Sequence, residues 1–494
     1  MSDTVLPGAA NTSAEPASLG RRNRTVIGLL LASTFVVILN ETIMNVAIPV
    51  LMRDLRVDAG AAQWLSTAFM LTMAVVIPIT GWLLQRFNTR PVFITAMSLF
   101  SLGTLIAALA PGFTVLLAAR VVQASGTAIM LPLLFTTVMT LVPPASRGRT
   151  MGNISIVISV APAIGPTISG LILSALDWRW MFILVLPIAL AALVLGFLRI
   201  HNVTNPSVTH FDVFSVIVSA FGFGGLVYGL SNLGTISTTG NLENSLVPLI
   251  VGVAAIIVFV FRQLRLQRRD DALLDLRTFR SPTFTYAIIM IAISMLALFG
   301  TIILLPIYLQ NVLGLDTLGT GLLLLPGGLV MGLLAPKVGR IYDRIGPTVL
   351  VVTGSVMVSI VFWGMTQLDE NSSVWWVLGA HVALSFALAL MFTPLFTAGL
   401  GALKPELYSH GSAIVGTVQQ VAGAAGTALF VTVMAAQTVH AVAGGVPLVA
   451  ATASGIQAAF VTGAIISLFA IPVAAMIRKP VEVPNQANGG QSPA

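Results

Sequence analysis

The chain has 494 residues, of which 56% are hydrophobic and 8% are charged, and its mean hydropathy is +0.97. This composition excludes a water-soluble globular domain and indicates an all-α polytopic membrane protein. The formal net charge of +7 does not indicate nucleic-acid binding, because the basic residues are scattered through short loops and form no basic domain. Because the chain has no cysteine, disulfides, thiol catalysis and cysteine-ligated metal sites are excluded.

The chain begins with residues 1–25, a segment rich in Ser, Ala and Pro that is predicted to be disordered and cytoplasmic. The apolar run that follows is too long for the core of a cleaved signal peptide, so we expect it to remain as a membrane anchor. A bilayer core about 30 Å thick requires about 20 apolar residues per helix. Fourteen segments meet this requirement: 26–51, 61–84, 92–110, 113–141, 151–175, 178–198, 211–232, 245–265, 282–310, 317–339, 347–367, 373–398, 411–437 and 453–477. The polar tail, 479–494, is again predicted to be disordered.

The basic residues predict how the spans are oriented. Cytoplasmic loops are enriched in Lys and Arg, and an even number of spans places both termini on one side. Placing the termini in the cytoplasm assigns 20 of the 24 basic residues to that side, three (Arg53, Arg56 and Arg179) to the outside and one, Arg120, to a span. We therefore predict that both termini are cytoplasmic. The basic stretch 262–280 is interpreted as an interfacial segment that meets anionic lipid, with a ligand site as the alternative.

A short loop sequence occurs twice, after the second and after the tenth predicted span. The first copy begins at Gly81 and includes Arg86, and the second begins at Gly339 and includes Asp343 and Arg344. The offset from position 81 to position 339 is 258 residues, which corresponds to eight spans. We interpret this as an internal repeat, because it reproduces the loop position as well as the sequence.

Because eight spans are six plus two, the repeat predicts three parts. These are an N-terminal six-helix half (26–200), two inserted spans with a basic cytoplasmic linker (201–281), and a C-terminal six-helix half (282–478). Parallel halves that face each other across a site at the membrane midplane are a known transporter layout.

One acid and one base lie inside the predicted spans, Glu41 and Arg120. An ionisable side chain at membrane depth is costly, so its default interpretation is functional. From the rise of an α-helix, Glu41 lies about 15 Å and Arg120 about 10 Å from the outer ends of their spans, which permits contact, directly or through Gln123. The pair indicates a proton-coupled carrier. The alternatives are an acid that only fixes helix packing and an arginine that only braces backbone carbonyls.

Three segments carry motifs of a known family. Leu39–Pro49 reads Leu-Asn-Glu-Thr-Ile-Met-Asn-Val-Ala-Ile-Pro, Arg120–Gly126 reads Arg-Val-Val-Gln-Ala-Ser-Gly, and Ala161–Gly170 reads Ala-Pro-Ala-Ile-Gly-Pro-Thr-Ile-Ser-Gly. These segments resemble motifs of the major facilitator superfamily, and within it of the fourteen-span drug:proton antiporters. The first has its acid displaced by one position, and small residues replace glycines in the other two. The resemblance covers nearly all of residues 21–479 and implies the major facilitator fold and transport by alternating access.

The loop repeat departs from the family pattern in its first copy. Gln85 stands where the family usually carries Asp, and Asn88 stands where it has Gly, while the second copy retains Asp343 and Gly346. With Asn-Glu-Thr in the first span, this pattern resembles the lincomycin-resistance type of multidrug exporter. In the family the loop acid latches the inner gate, so the resemblance implies that Asp343 has this role here.

Further candidates for the transport site or for gating are polar, glycine or proline residues in the spans. The candidates for substrate contacts are Asn45, Gln123, His381, Gln419 and Gln420. Asn45 lies one turn from Glu41 and extends its polar face. For His381 the alternative is a packing histidine, and the two glutamines either line a cavity or bridge helices. The resemblance assigns Gly165 and Pro166 to a seal between the halves, and an ordinary packing kink is the alternative.

The predicted function is proton-coupled export of hydrophobic or amphiphilic drugs, with Glu41 as the proton and cation site. The expected partners are small-molecule drugs, protons and membrane lipids, without nucleic acid, metal or cofactor, and the chain is expected to be a monomer. Three lysines against 21 arginines indicate a GC-rich bacterial genome and therefore the bacterial cytoplasmic membrane. The alternatives are an exporter of an endogenous metabolite or lipid-like compound and a non-transporting membrane sensor. No enzyme is expected, because the chain has no His-Glu-x-x-His, nucleophile elbow or Walker motif.

Overall fold

The structure is a computed structural model that describes residues 14–203, 206, 210–233 and 243–479, without the side chains of residues 14–21, 45, 46, 59, 60 and 317. Residues 1–13 and 480–494, which are predicted to be disordered, lie outside the described residues. The prediction of disorder is wrong for residues 14–25, which form the first turns of α1 (Ala14–Asp54). Ala, Leu, Glu and Arg in this stretch are good helix formers, and Pro16 falls in the first turn, where proline is tolerated.

Fourteen α-helices in the described part of the chain are long and apolar enough to span a membrane. After α1 they are α2 (Ala59–Arg86), α3 (Thr89–Ala108), α4 (Phe113–Leu141), α5 (Arg147–Ala175), α6 (Trp180–Arg199), α7 (Val213–Leu233), α8 (Glu243–Leu266), α9 (Pro282–Asn311), α10 (Thr317–Ile345), α11 (Thr348–Met365), α12 (Val374–Gly401), α13 (Tyr408–Ala443) and α14 (Leu448–Ala475). The described residues contain no strand. The prediction of an all-α polytopic fold with fourteen spans is confirmed.

The local structure of α2 is repeated in α10. Asp58 and Asp316 cap the two helix N-termini, and each carboxylate accepts a hydrogen bond from the backbone amide three residues on, at 2.7 and 2.8 Å. These caps are again 258 residues apart, and so are the prolines inside the two helices, Pro78 and Pro336. Because an N-cap oxygen satisfies free amides of the first turn, both helices begin for the same local reason.

The contacts between helices also occur in pairs. α1 packs on α5 as α9 packs on α13, α3 packs on α4 as α11 packs on α12, and α3 packs on α6 as α11 packs on α14. The contacts between the two sets are paired in the same way, because α5 packs on α10 as α13 packs on α2, and α4 packs on α13 as α12 packs on α5. This pairing favours two equivalent halves, α1–α6 (the N-half) and α9–α14 (the C-half).

The helices α7 and α8 form a hairpin beside the two halves. Their backbones approach closely at two glycines, since a Cβ added to Gly225 would lie 3.0 Å from the Cα of Gly252. α7 packs on both α2 and α13, where Val227 joins a small buried cluster with Ala74 and Ala424. α8 packs on α7 and leaves most of its own surface exposed. The hairpin therefore covers one of the two lines along which the halves meet.

The halves meet tightly at the end of the bundle where α1 begins and α14 ends, which we call the terminal face. Small residues allow α5 and α10 to touch there: Gly152 packs on the backbone of Ala335, and Gly339 packs on the backbone of Gly148. On the other side of the bundle, Thr136 of α4 donates a hydrogen bond to Ser412 of α13 at 3.1 Å.

The halves separate towards the opposite face. α5 and α10 stay in contact as far as Ala163 and Gly328. Gly170 and Gly321 lie beyond this point on the same two helices, and a Cβ added to either would have no neighbour within 4 Å. The last part of α13, residues 431–443, contains no buried residue. The space between the halves is therefore closed at the terminal face and open towards the opposite face.

Cysteine pairs test this asymmetry directly, because the chain has no native cysteine. We expect the Thr136→Cys/Ser412→Cys pair to form a disulfide on mild oxidation, since the two side chains touch across the closed face. The Gly170→Cys/Gly321→Cys pair, on the separated parts of α5 and α10, serves as the control and should stay reduced. Mass spectrometry of protease digests measures both yields. Preferential cross-linking of the control pair would contradict the arrangement.

Candidate functional site

The centre of the N-half contains a buried arginine held by a chain of hydrogen bonds. Arg120 on α4 is 1% exposed, and its Nη1 donates to Oε1 of Gln123 at 2.5 Å. The Nε2 of Gln123 donates to the Oγ1 of Thr104 at 2.8 Å, and Thr104 donates to the carbonyl of Phe100 at 2.7 Å. The guanidinium carbon also lies 4.0 Å from the ring centroid of Phe69, a cation–π contact.

Local geometry explains this arrangement. Arg120 and Gln123 are three residues apart, so both lie on one face of α4. That face packs on α3 at Gly103, where an added Cβ would lie 2.5 Å from the amide nitrogen of Gln123. The close approach of the two backbones brings Thr104 within hydrogen-bond distance of the Gln123 side chain. A glycine in α3 is therefore part of what orients the arginine.

Glu41 lies on α1 and is partly exposed. It interacts electrostatically with Arg120, but the two form no ion pair within 4.0 Å, although both belong to the described residues. The Nε of Arg120 has no hydrogen-bond partner, and neither has the buried Oδ1 of Asn40 beside Glu41. Arg120 thus bonds to Gln123 and retains a free donor instead of closing a direct pair with the acid.

The glycine of the antiporter motif lies next to this acid. A Cβ on Gly165 of α5 would overlap the side chain of Thr42, whose Oγ1 donates to the carbonyl of Leu39 at 2.9 Å. The contact is within the N-half, between α5 and α1. The part of α5 that meets the other half lies nearer the terminal face, at Ala163, and Pro166 is exposed. Gly165 therefore determines how closely α5 approaches the helix that carries Glu41.

His381, Gln419 and Gln420, which are also candidates for substrate contacts and belong to the described part of the chain, form no hydrogen bond to Glu41 or Arg120. Asn45 lies on α1, but its side chain is outside the described part. His381 of α12 contacts the carbonyl of Leu324 through Nε2 at 3.1 Å, within the C-half. Gln420 donates to the sulfur of Met73 on α2 at 3.7 Å, so it bridges the halves, and Gln419 beside it is partly buried.

The repeated loop motif forms contacts between the halves at the terminal face. Asp343 accepts hydrogen bonds from the amides of Gly148 (2.8 Å) and Arg149 (2.9 Å), the first residues of α5. A carboxylate at a helix N-terminus is favoured by the free amides and by the helix dipole. In the other copy, Gln85 donates to the carbonyl of Glu406 at 3.2 Å. The two arginines of the motif differ in exposure, since Arg86 is partly buried and Arg344 is exposed.

Sequence reasoning did not identify three residues that contribute to these sites. Thr104 and Phe69 belong to none of the motifs in the sequence. His410 at the start of α13 is 2% exposed and packs against Gly81, so an added Cβ on that glycine would lie 2.9 Å from its Nδ1. The only indication of the His410 contact in the sequence is Gly81 itself, because a glycine in the repeated motif marks a close approach of another residue.

Fourteen spans in the described part of the chain, two packed halves and a buried arginine between helices define a membrane transporter, in the class of secondary carriers built from helical repeats. The chain belongs to the Major Facilitator Superfamily, whose family model matches residues 30–427. This result confirms the resemblance and the expectation that the chain is a transporter and not an enzyme.

Relatives of the chain include transporters of similar length. The chain is 41% identical to the uncharacterized MFS-type transporter YcnB of Bacillus subtilis, over 95% of this chain and 98% of that protein. It is also 41% identical to the lincomycin resistance protein LmrB of Bacillus subtilis, over 93% and 96%. Among solved structures, the human organic anion transporter MFSD10 superposes with a TM-score of 0.66 and 15% identity, over 92% of this chain and 99% of that one, which shows a common fold.

Gly165→Ala is expected to lower the melting temperature of the purified protein, because the added Cβ overlaps Thr42. Overpacking of this kind typically costs about 1–3 kcal/mol. Gly170→Ala, on the same helix but with no neighbour within 4 Å, should leave the melting temperature unchanged. The double variant Thr42→Ala/Gly165→Ala should recover part of the loss, since the overlapping hydroxyl is gone. Intrinsic tryptophan fluorescence during heating measures all four proteins, and equal melting of the two glycine variants would refute the contact.

Proposed function

We propose that the protein exports hydrophobic or amphiphilic drugs across the bacterial cytoplasmic membrane in exchange for protons, by alternating access and with both termini in the cytoplasm. The observation that carries this proposal is the arrangement of Glu41 beside a buried Arg120 that it does not directly pair with. The excess of basic residues on the terminal face supports its assignment to the cytoplasm.

Glu41 is the group that exchanges a proton for a drug. An ionised carboxylate is attracted to Arg120 and to a cationic drug, whereas a protonated one is attracted to neither. Because the space between the halves opens towards the opposite face, Glu41 takes up its proton from outside in the present arrangement. When the terminal face opens, drug binding and contact with the cytoplasm favour release of that proton. Proton and drug therefore compete for one carboxylate.

Arg120 acts as a fixed cation in this exchange. Its hydrogen bond to Gln123 and its contact with Phe69 hold the guanidinium on α4, so its field on Glu41 changes only when α1 moves relative to α4. A movement of a few ångströms is sufficient, because the interaction between charges in a medium of low dielectric constant depends steeply on distance.

Asp343 holds the terminal face closed while the opposite face is open. Separation of α5 from α10 requires that Asp343 release the amides of Gly148 and Arg149 and that Gly339 leave its contact with Gly148. The side chain of Lys479 adds a hydrogen bond to the carbonyl of Asp343 at 3.2 Å. The first copy of the motif contributes the neutral Gln85. The charged contact, made by Asp343, therefore lies on one side of the bundle.

Relatives named as lincomycin resistance proteins make lincomycin the first drug to test. We expect Glu41→Gln to abolish lincomycin-driven proton release from energised inverted vesicles, because glutamine cannot exchange a proton. Exchange of radiolabelled lincomycin down its gradient should persist. Resistance in a pump-deficient host should fall to the level of the empty vector.

The matched control is Glu243→Gln, which makes the same chemical change at an exposed position at the start of α8 and should couple normally. Unchanged coupling in Glu41→Gln would contradict the assigned role. If an endogenous metabolite drives proton release by the wild type and no drug does, export of an endogenous compound becomes the better interpretation.

Asp343→Asn is expected to weaken the closed terminal face, because an amide side chain carries no charge and accepts fewer hydrogen bonds. Loss of a charged helix cap costs about 1–2 kcal/mol, which corresponds to about a tenfold change in the closed population. The rate of disulfide formation between cysteines at positions 136 and 412 measures this population and should fall. Asp316→Asn, a cap at the opposite face, is the control and should leave the rate unchanged.

A further inference from the structure

The segment between α8 and α9 is folded onto the protein. We call residues 267–281 the linker. Residues 272–275 are buried, and Leu273 and Leu274 pack against Gly81 of α2 at the terminal face. Asp275 accepts a hydrogen bond from the amide of Arg277 at 2.8 Å and so begins a short 3₁₀ turn. The linker is therefore part of the closed terminal face.

A cavity of about 340 Å³ opens between the end of α8 and the linker. Its lining residues are Leu264, Gln267, Arg268, Arg277 and Arg280. Three guanidinium groups thus surround a space large enough for a phosphate-sized group and its substituents. The stretch that contains them, 262–280, has six arginines and three aspartates.

The three arginines of the cavity are not equivalent. Arg277 is paired within the linker, since its Nη2 lies 2.6 Å from Oδ1 of Asp270 and its Nε donates to Asp275 at 2.8 Å. The Asp275 carboxylate holds the pKa of Arg277 above its usual range. Arg268 and Arg280 are exposed and have no acidic partner among the described residues. Two cations therefore remain free to bind an anion.

Gln267 adds a second, independent feature of the cavity. Its Oε1 atom is buried and accepts no hydrogen bond within the described part of the chain. A buried acceptor without a donor is costly, so a ligand that supplies a hydroxyl or ammonium hydrogen stabilises this site. The cavity thus combines free cations with an acceptor that needs a donor.

The position of the cavity favours a lipid as the ligand. It lies at the terminal-face end of α8, whose outward side is apolar and exposed, with Phe261 70% exposed. Phe279 of the linker, 40% exposed, and Leu264, 42% exposed, flank the same region. An apolar helix surface that ends at a basic cavity is where acyl chains and phosphate groups of a bilayer meet.

We propose that this cavity binds the headgroup of an anionic phospholipid that carries hydroxyl donors, of the phosphatidylglycerol class. The phosphodiester contacts Arg268 and Arg280, and a headgroup hydroxyl donates to the Oε1 of Gln267. The acyl chains lie along Phe261 and Leu264. This binding does not depend on the proposed export function.

A bound headgroup stabilises the docked position of the linker. Arg277 lines the cavity and is paired with Asp275, and Leu274 next to Asp275 packs on Gly81 beside His410. The lipid therefore binds one side of the linker, while Leu273 and Leu274 of the same linker pack on Gly81 at the terminal face.

Native mass spectrometry of the delipidated full-length protein tests the proposal with three lipids of equal chain length. These are phosphatidylglycerol, phosphatidylmethanol, which has the same charge without hydroxyls, and phosphatidylcholine. The wild type should bind one phosphatidylglycerol more tightly than either of the others. Arg268→Gln/Arg280→Gln should lower this affinity about thirtyfold, as expected for two interfacial arginines. Gln267→Leu should bind phosphatidylglycerol and phosphatidylmethanol equally.

The control is Arg22→Gln/Arg24→Gln, which removes two exposed arginines from α1 on the same face and should bind like the wild type. An equal loss in this control would reveal diffuse electrostatic adhesion and overturn the proposal. Displacement of the lipid by millimolar inorganic phosphate would assign the cavity to a soluble anion and overturn the lipid assignment. The melting temperature of each variant without lipid shows whether it is folded.

Discussion

The guanidinium of Arg120 is 1% exposed in an apolar bundle, and the N-half is arranged around the need to stabilise it. A buried charge without partners is strongly destabilising. Arg120 is stabilised by a hydrogen bond to the Gln123 side chain and by a cation–π contact with Phe69. Glu41 adds an electrostatic attraction from farther away than the length of an ion pair. Because the neutral partners hold Arg120 in place, the carboxylate of Glu41 is not held in an ion pair within the described part of the chain.

A second constraint follows from the two-half design. Two six-helix halves need a tight contact where they meet, and small residues allow their helices to approach closely. Along α5 and α10 the contact is made by glycine and alanine backbones, with one charged cap at the end, Asp343 on the amides of Gly148 and Arg149. The Asp343 carboxylate makes this contact specific, because it caps the N-terminus of α5.

The inserted spans add an asymmetry to this two-fold arrangement. α7 packs on α2 and α13 and covers one line between the halves, while α5 and α10 on the other side have no such cover from the hairpin. The polar end of the hairpin is held by Arg262, which donates to Asp212 at 2.7 Å and holds the pKa of that carboxyl below its usual range. The linker that follows reaches the terminal face and ends beside Gly81. The insertion is thus connected both to the membrane surface and to the contact between halves.

The sequence by itself determined the class, the number of spans, the internal repeat and the identity of the acid and base in the membrane. Hydropathy, helix length and N-caps such as Asp58 are local properties, so they can be counted along the chain. The sequence pattern did not determine the start of α1, where helix propensity extends the helix into a polar segment. Only the tertiary structure decided that Arg120 bonds to Gln123 and Phe69 without a direct pair to Glu41, and that Gly165 faces α1. These contacts join residues far apart in the chain, and they depend on how closely helix backbones approach, which residue identity alone does not specify.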